Sequence, residues 1–180
     1  MDFSQDTINK YPLCKQFAST ELQPAKLKKQ KPKVWNAFVK ACKSEKWAKI
    51  ALDWDSSAGP TITPVDGLLT PNAAHTNILG CGFTRAPRFN APIEITSLLF
   101  NAVEHSVWEG DRDFAKLHFQ VTLLHELVHW SRFNSGATDL LWTDSPIAMA
   151  DAGSVFEMWA YGQLFCGESD IERLMLSTRF

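Results

Sequence analysis

Apolar residues along the chain fall into runs of different period. After Pro32, Val34, Trp35, Phe38, Ala41, Cys42 and Ile50 recur at three- and four-residue steps, the stripe of an amphipathic helix. This predicts helix over residues 25–52, broken at Lys31-Pro32, where the ring of proline ends one helix and can begin the next. Residues 53–92 are rich in Pro, Gly, Asn and Thr and predict loops with short strands at 67–70, 77–83 and 92–96. A short helix is expected over 97–105. A long one follows, capped by Asp111 or Asp113, running to about Phe133 and stopped by Asn134-Ser135-Gly136. On it Phe114, Leu117, Val121, Leu124 and Val128 form an apolar face. His118, Thr122, His125 and His129 form the neighbouring one. A second helix is expected from Ser145-Pro146 to Cys166-Gly167, with a break near 151–153, and the tail 168–180 reads as a short amphipathic segment.

With 180 residues, 45% of them hydrophobic and 21% charged, the chain reads as one globular domain, 1–180, with a basic helical N-terminal part at about 1–52. No apolar run approaches the roughly 18 residues of a membrane span. The opening Met-Asp-Phe-Ser-Gln-Asp lacks the basic and apolar regions of a signal peptide. Synthesis in the cytoplasm without a Sec signal is therefore expected, with any export by a specialised route. A net charge of −2 argues against a nucleic-acid binder. Residues 1–50, with 11 lysines against 4 acidic residues, carry +7, and the remainder −9. The basic stretch peaks at Lys26, Lys28, Lys29, Lys31 and Lys33, a solvated face or a docking surface for an anionic partner. Cys14, Cys42, Cys81 and Cys166 are widely spaced without a CxxC pair, so reduced thiols are expected.

His125-Glu126-Leu127-Val128-His129 carries the chemistry. Residues four apart on a helix lie one turn apart on one face, so both imidazoles can reach one ion, and neutral imidazole suits Zn²⁺. Glu126 can reach a water in the open position of that ion and take its proton. A catalytic zinc takes three protein ligands plus water, and three residues compete for the third place. Glu157 lies among Phe156, Trp159 and Tyr161, where a buried carboxylate needs a partner. Asp139 sits in a turn ten residues after His129, and Cys81 in Gly80-Cys81-Gly82 offers a thiolate. Tyr161, one turn beyond Glu157, is a candidate oxyanion donor, or else a core aromatic with a bonded hydroxyl. His118 reads as a core or outer histidine, and His75 and His105 carry no spacing argument. Asp139, Asp144 and Asp151 are candidates to orient a ligand imidazole through its other nitrogen.

HELVHW followed by DAGSVFEMWAYG resembles the zincin superfamily of the gluzincin type, an HExxH motif with a downstream Glu. More narrowly it is similar to the compact zincin-like metallopeptidase domains of bacterial secreted effectors and polymorphic toxins. The resemblance covers about residues 111–167 and implies His125, His129 and Glu157 as zinc ligands with Glu126 as base. It also implies a short sheet whose edge strand, at 92–96, binds substrate as an added strand. The Gly-x-x-His of metzincins is absent. Asp139 after Gly136 faintly resembles the aspzincin pattern, and Cys81 precedes the motif as in peptide deformylases, without their Glu-Gly-Cys-Leu-Ser signature.

The expected fold is therefore α+β and zincin-like: a small sheet on an active-site helix, with a second helix carrying the third ligand. The expected function is a zinc metallopeptidase acting on protein or peptide, a secreted effector or toxin with a secretion carrier or immunity protein as partner. Two alternatives stand beside it: a zinc amidase acting on a peptidoglycan peptide or formyl group, and a non-catalytic binding module of the same fold.

Overall fold

The computed structural model describes residues 1–54, 58–67, 69–71, 77–79, 81–84, 92–137 and 151–178. The chain is α+β, mostly helical around a small sheet. Strand β1 (Asp2–Phe3) leads into helix α1 (Gln5–Lys10), whose first turn is capped by the Ser4 side chain accepting from the Thr7 amide. Helices α2 (Pro12–Glu21), α3 (Pro24–Gln30) and α4 (Pro32–Cys42) each begin on a proline, whose fixed φ and missing N–H suit the first helical position. Helix α5 (Glu45–Ala51) is capped by Ser44.

The break expected at Lys31-Pro32 is present, and a second follows at Lys43, which adopts the left-handed region at φ 55° just before the Ser44 cap. Helix α2 was not predicted. The residues it buries, Cys14 and Ala18, are small and give only a faint apolar stripe.

Five further strands follow: β2 (Thr61–Val65), β3 (Leu69–Pro71), β4 (Asn77–Leu79), β5 (Gly82–Thr84) and β6 (Ile93–Thr96). The main sheet runs β1-β2-β6-β5, with β1, β2 and β6 parallel and β5 antiparallel to β6. Strands β3 and β4 form a separate antiparallel pair. The strand expected over 77–83 is thus two strands in two sheets. The expectation that 92–96 is an edge strand is overturned. Strand β6 pairs on both sides and buries Ile93 and Ile95 completely, as a two-sided interior strand should. The edge next to it is β5.

Helix α6 (Ser97–His105) continues directly from β6, capped by the Thr96 side chain. Helix α7 (Glu109–Asn134) is the longest, and α8 (Ala152–Tyr161) and α9 (Glu168–Ser177) follow. Helix α8 ends on Gly162 in the left-handed region, five residues before the expected Cys166-Gly167 stop. The expected start at Ser145-Pro146 lies outside the described residues. Leu117, placed on the apolar face by its spacing, is 39% exposed. Burial of α7 becomes nearly complete only from His118 onward.

One hydrophobic cluster runs from Met1 to Leu174 and joins the N-terminal helices to the sheet and to α7. Phe100 is its hub, with ring centroids of Tyr11, Phe119 and Phe3 at 5.0, 5.1 and 6.0 Å. No helix among the described residues is long and apolar enough to cross a membrane.

Cys81 and Cys166 form a disulfide with Cα atoms 6.1 Å apart, while Cys14 and Cys42 are free and buried. This corrects the expectation of four thiols and removes Cys81 as a zinc ligand, since its sulfur is already bonded. A pairing across 85 residues is made by tertiary structure and leaves no local spacing signal. A loop of that length constrains the unfolded chain by about 4–5 kcal/mol in the chain-entropy account.

Because Phe100 is fully buried among three rings, Phe100→Ala should cost about 3–5 kcal/mol. Urea titration followed by circular dichroism measures it. A loss under about 1 kcal/mol would show that the N-terminal helices do not depend on this contact.

Candidate metal centre

Between His118 and Arg132 every residue of α7 is buried except His125 and His129. A helix covered all round belongs in a core. Here the cover has one opening, and two imidazoles fill it.

Their Nε2 atoms lie 3.2 Å apart. Asp151 Oδ1 lies 3.2 Å from His129 Nε2 and 3.5 Å from His125 Nε2. Asp151 is the N-cap of α8: its carboxylate accepts from the Ser154 amide at 2.9 Å and from the Ser154 hydroxyl at 2.8 Å. The α8 dipole favours an anion at that end. These three atoms fit a metal ion. Donors about 2.1 Å from a tetrahedral zinc are about 3.4 Å from one another, close to the spacings observed. Asp151 keeps 41% of its side chain exposed, so the group opens toward solvent on that side.

Glu157, expected as third ligand, meets the other nitrogen of His125. Its Oε1 is 2.6 Å from His125 Nδ1, the ring nitrogen on the far side from His129 and Asp151. Its Oε2 accepts from the Phe165 amide at 2.7 Å. Both carboxylate oxygens are thus engaged within a site that is almost wholly buried. With Nδ1–H donating to Glu157, Nε2 is the nitrogen of His125 that faces the other two groups.

Burial alone would lower the pKa of His125. The hydrogen bond to Glu157, with the charges of Glu126, Glu157 and Asp151, outweighs it and holds the metal-free imidazole up at about 9. Burial likewise acts to raise Asp151, but the His129 contact, both imidazole charges and the Ser154 amide keep its carboxyl well below the usual range.

Glu126 is buried beside β5. Thr84 Oγ1 donates to its Oε2 at 2.6 Å and lies 3.1 Å from its backbone carbonyl oxygen. The strand comes this close because residue 82 is glycine: a Cβ there would meet Glu126 Cγ and Thr122 Cγ2 at 2.8 Å. Gly153 does the same for the metal group, since a Cβ there would lie 2.2 Å from His125 Cδ2.

Tyr161 accepts at its hydroxyl from Gln120 Nε2 at 2.7 Å, and Gln120 Oε1 accepts from Lys31 Nζ at 2.7 Å. Its ring meets Phe156 and Phe165, and burial, with Glu157 nearby, raises its pKa to about 12 against the opposing bond from Gln120. His118 donates to the Phe114 carbonyl at 3.0 Å and faces Asp170 at 3.3 Å, joining α7 to α9 away from the imidazole pair. His105 ends α6 exposed. His75, Asp139 and Asp144 lie outside the described residues.

Thr84, and the space that Gly82 and Gly153 leave for Glu126 and His125, were not expected from the sequence. The two glycines carry a signal in hindsight, each standing where a loop or helix start meets a helix face. Thr84 carries none, because its partner is 42 residues away.

No curated protein and no solved structure matches the chain. Among protein families, residues 7–162 match metallopeptidase toxin 3. The match runs from within α1 to the end of α8 and includes His125, Glu126, His129, Asp151 and Glu157. The chain belongs to the metallopeptidase toxin 3 family.

Proposed function

We propose that this chain is a zinc peptidase in which His125, His129 and Asp151 hold the ion and Glu126 is the base. The observation that carries the reading is the convergence of His125 Nε2, His129 Nε2 and Asp151 Oδ1 at the one opening in the cover of α7. When bound, zinc would supply Lewis-acid polarisation of the scissile carbonyl and a more acidic water. Glu126 would serve as the base that accepts a proton from the attacking water and returns it to the leaving amine. Thr84 holds the Glu126 carboxylate in place. Glu157 fixes the tautomer and orientation of His125 through Nδ1. Tyr161, tied to Gln120, joins α8 to α7 and is assigned to positioning rather than to the oxyanion. The third ligand is then an aspartate, as in the aspzincin alternative, but at 151.

A zincin-like architecture fits this reading: the HExxH helix lies beneath a small sheet whose antiparallel edge, β5, passes beside Glu126. An extended peptide pairing with the outer edge of β5 would lie next to the imidazole pair, which favours protein over a small amide as substrate. Family membership supports a toxin that acts outside the cell that makes it, and a disulfide suits an oxidising surround. The basic N-terminal helices are the proposed face for a carrier or immunity protein. Part of that charge is used internally, since Lys26 pairs with Glu21 at 2.6 Å and Lys31 bonds Gln120.

Three outcomes follow. Asp151→Ala should weaken zinc binding by more than about 100-fold, while Glu157→Ala should weaken it by about 10–100-fold and leave a measurable site. Competition titration with a chromophoric chelator measures both. The reverse order would return the third place to Glu157. Glu126→Gln should bind one zinc as tightly as the wild type and lose about 10²–10⁴-fold in kcat on a protein substrate. Full activity in that variant would favour a mechanism without this base. Zinc must also displace the His125 proton, so its apparent affinity should fall about tenfold for each pH unit below about 9. Titrations at pH 6, 7 and 8 test the slope, and a flat profile would remove His125 from the ligand set.

A further inference from the structure

We propose that the Cys81–Cys166 disulfide is a redox control on the catalytic centre, which holds the site in working geometry only while it is oxidised. The inference rests on the metallopeptidase reading above for its consequence, but on the placement of the disulfide for its cause.

Cys81 directly precedes β5, and Cys166 directly follows Phe165 in the segment between α8 and α9. These two points support the site from opposite sides. On one side β5 carries Gly82 against Glu126 and Thr84 onto the Glu126 carboxylate. On the other side the Phe165 amide holds Glu157, which in turn holds His125 Nδ1.

Neither support is strong without the link. Strand β5 is three residues long and among the described residues pairs with β6 alone; beyond that ladder it is held where the Thr96 amide donates to the Cys81 carbonyl at 2.9 Å and by the Thr84 side chain on Glu126. Phe165 lies in irregular chain past the left-handed Gly162 cap. The disulfide joins both supports to each other, and Cys166 Sγ also lies 3.5 Å from Thr122 Oγ1 on α7, one turn before His125 and Glu126. The remaining two cysteines, Cys14 and Cys42, are buried elsewhere in the core, and burial pushes the Cys14 thiol far above the usual thiol range and that of Cys42 up to about 12. They are poor thiolates and offer no exchange partner.

The switching step is thiol–disulfide exchange with a dithiol. Its thiolate attacks the better exposed sulfur, that of Cys166, and Cys81 leaves as the thiol. The second thiol of the reductant then displaces Cys166, closing the reductant's own disulfide. Two electrons and two protons have passed to the chain. Thereafter β5 and 162–167 open independently, Thr84 drifts from Glu126, and Glu157 loses its anchor. The chain is off wherever dithiols keep both cysteines reduced and on where the disulfide forms.

The test compares oxidised protein, protein reduced with dithiothreitol and desalted without oxygen, and the Cys81→Ser/Cys166→Ser double variant. Amide hydrogen exchange and zinc titration are read on each. In the reduced and double-variant chains the amides of β5, Thr96 and Phe165 should exchange at least about tenfold faster while those of 119–132 in α7 are unchanged. Zinc affinity should fall about 10–100-fold and return on reoxidation. Unchanged exchange at β5 and Phe165 would overturn the proposal. So would uniform acceleration that includes α7, which would make the disulfide a general staple. Oxidised protein that binds no zinc would overturn the metal reading instead, and the exchange comparison would still decide the control.

Discussion

The structure depends on one constraint: from His118 to Arg132 all of α7 but His125 and His129 is buried, and buried polar groups need partners. Three of these groups draw another element onto the helix. Gln120 bonds Tyr161 of α8 and Lys31 at the junction of α3 and α4. Glu126 bonds Thr84 of β5. Arg132, fully buried, donates to the Ala41 carbonyl at 3.3 Å and ties in α4. His125 and His129 are the two groups that this network leaves at the surface, and Asp151 meets them there. The polar skeleton that makes the fold specific is the same one that shapes the site.

Two carboxylates from α8 serve the imidazoles in different ways because of where each sits on its helix. Asp151 is the cap, half exposed, aligned with the helix dipole and facing both Nε2 atoms. Glu157 is buried two turns further on and meets His125 from behind, with its other oxygen on a backbone amide. An exposed carboxylate among lone pairs suits an ion with an open position, whereas a buried one on Nδ1 fixes a ring. Gly153, between them in sequence, gives the His125 ring the space it needs.

Much of this was legible in the residues. The imidazole pair, the carboxylate between them, the α7 stop at Asn134-Ser135-Gly136, the break at Lys31-Pro32 and the α+β class all rest on local spacing, which sequence records directly. What failed was non-local. Glu157 was rightly read as a buried carboxylate in need of a partner, but which nitrogen of His125 it meets depends on how α8 crosses α7. Asp151 was weighed only for the outer role. The Cys81–Cys166 pairing and the interior place of β6 depend on strand order, which no window of residues contains. Helix α2 was missed because small buried side chains write a weak stripe.

The central claim is that Asp151, not Glu157, completes the ligand set around the HExxH pair. A crystal structure of the zinc-loaded protein with anomalous data at the zinc edge tests it most directly. The account predicts one anomalous peak within about 2.0–2.2 Å of His125 Nε2, His129 Nε2 and an Asp151 oxygen, with Glu157 still on His125 Nδ1. A peak bonded to a Glu157 oxygen, with Asp151 turned away, would contradict it.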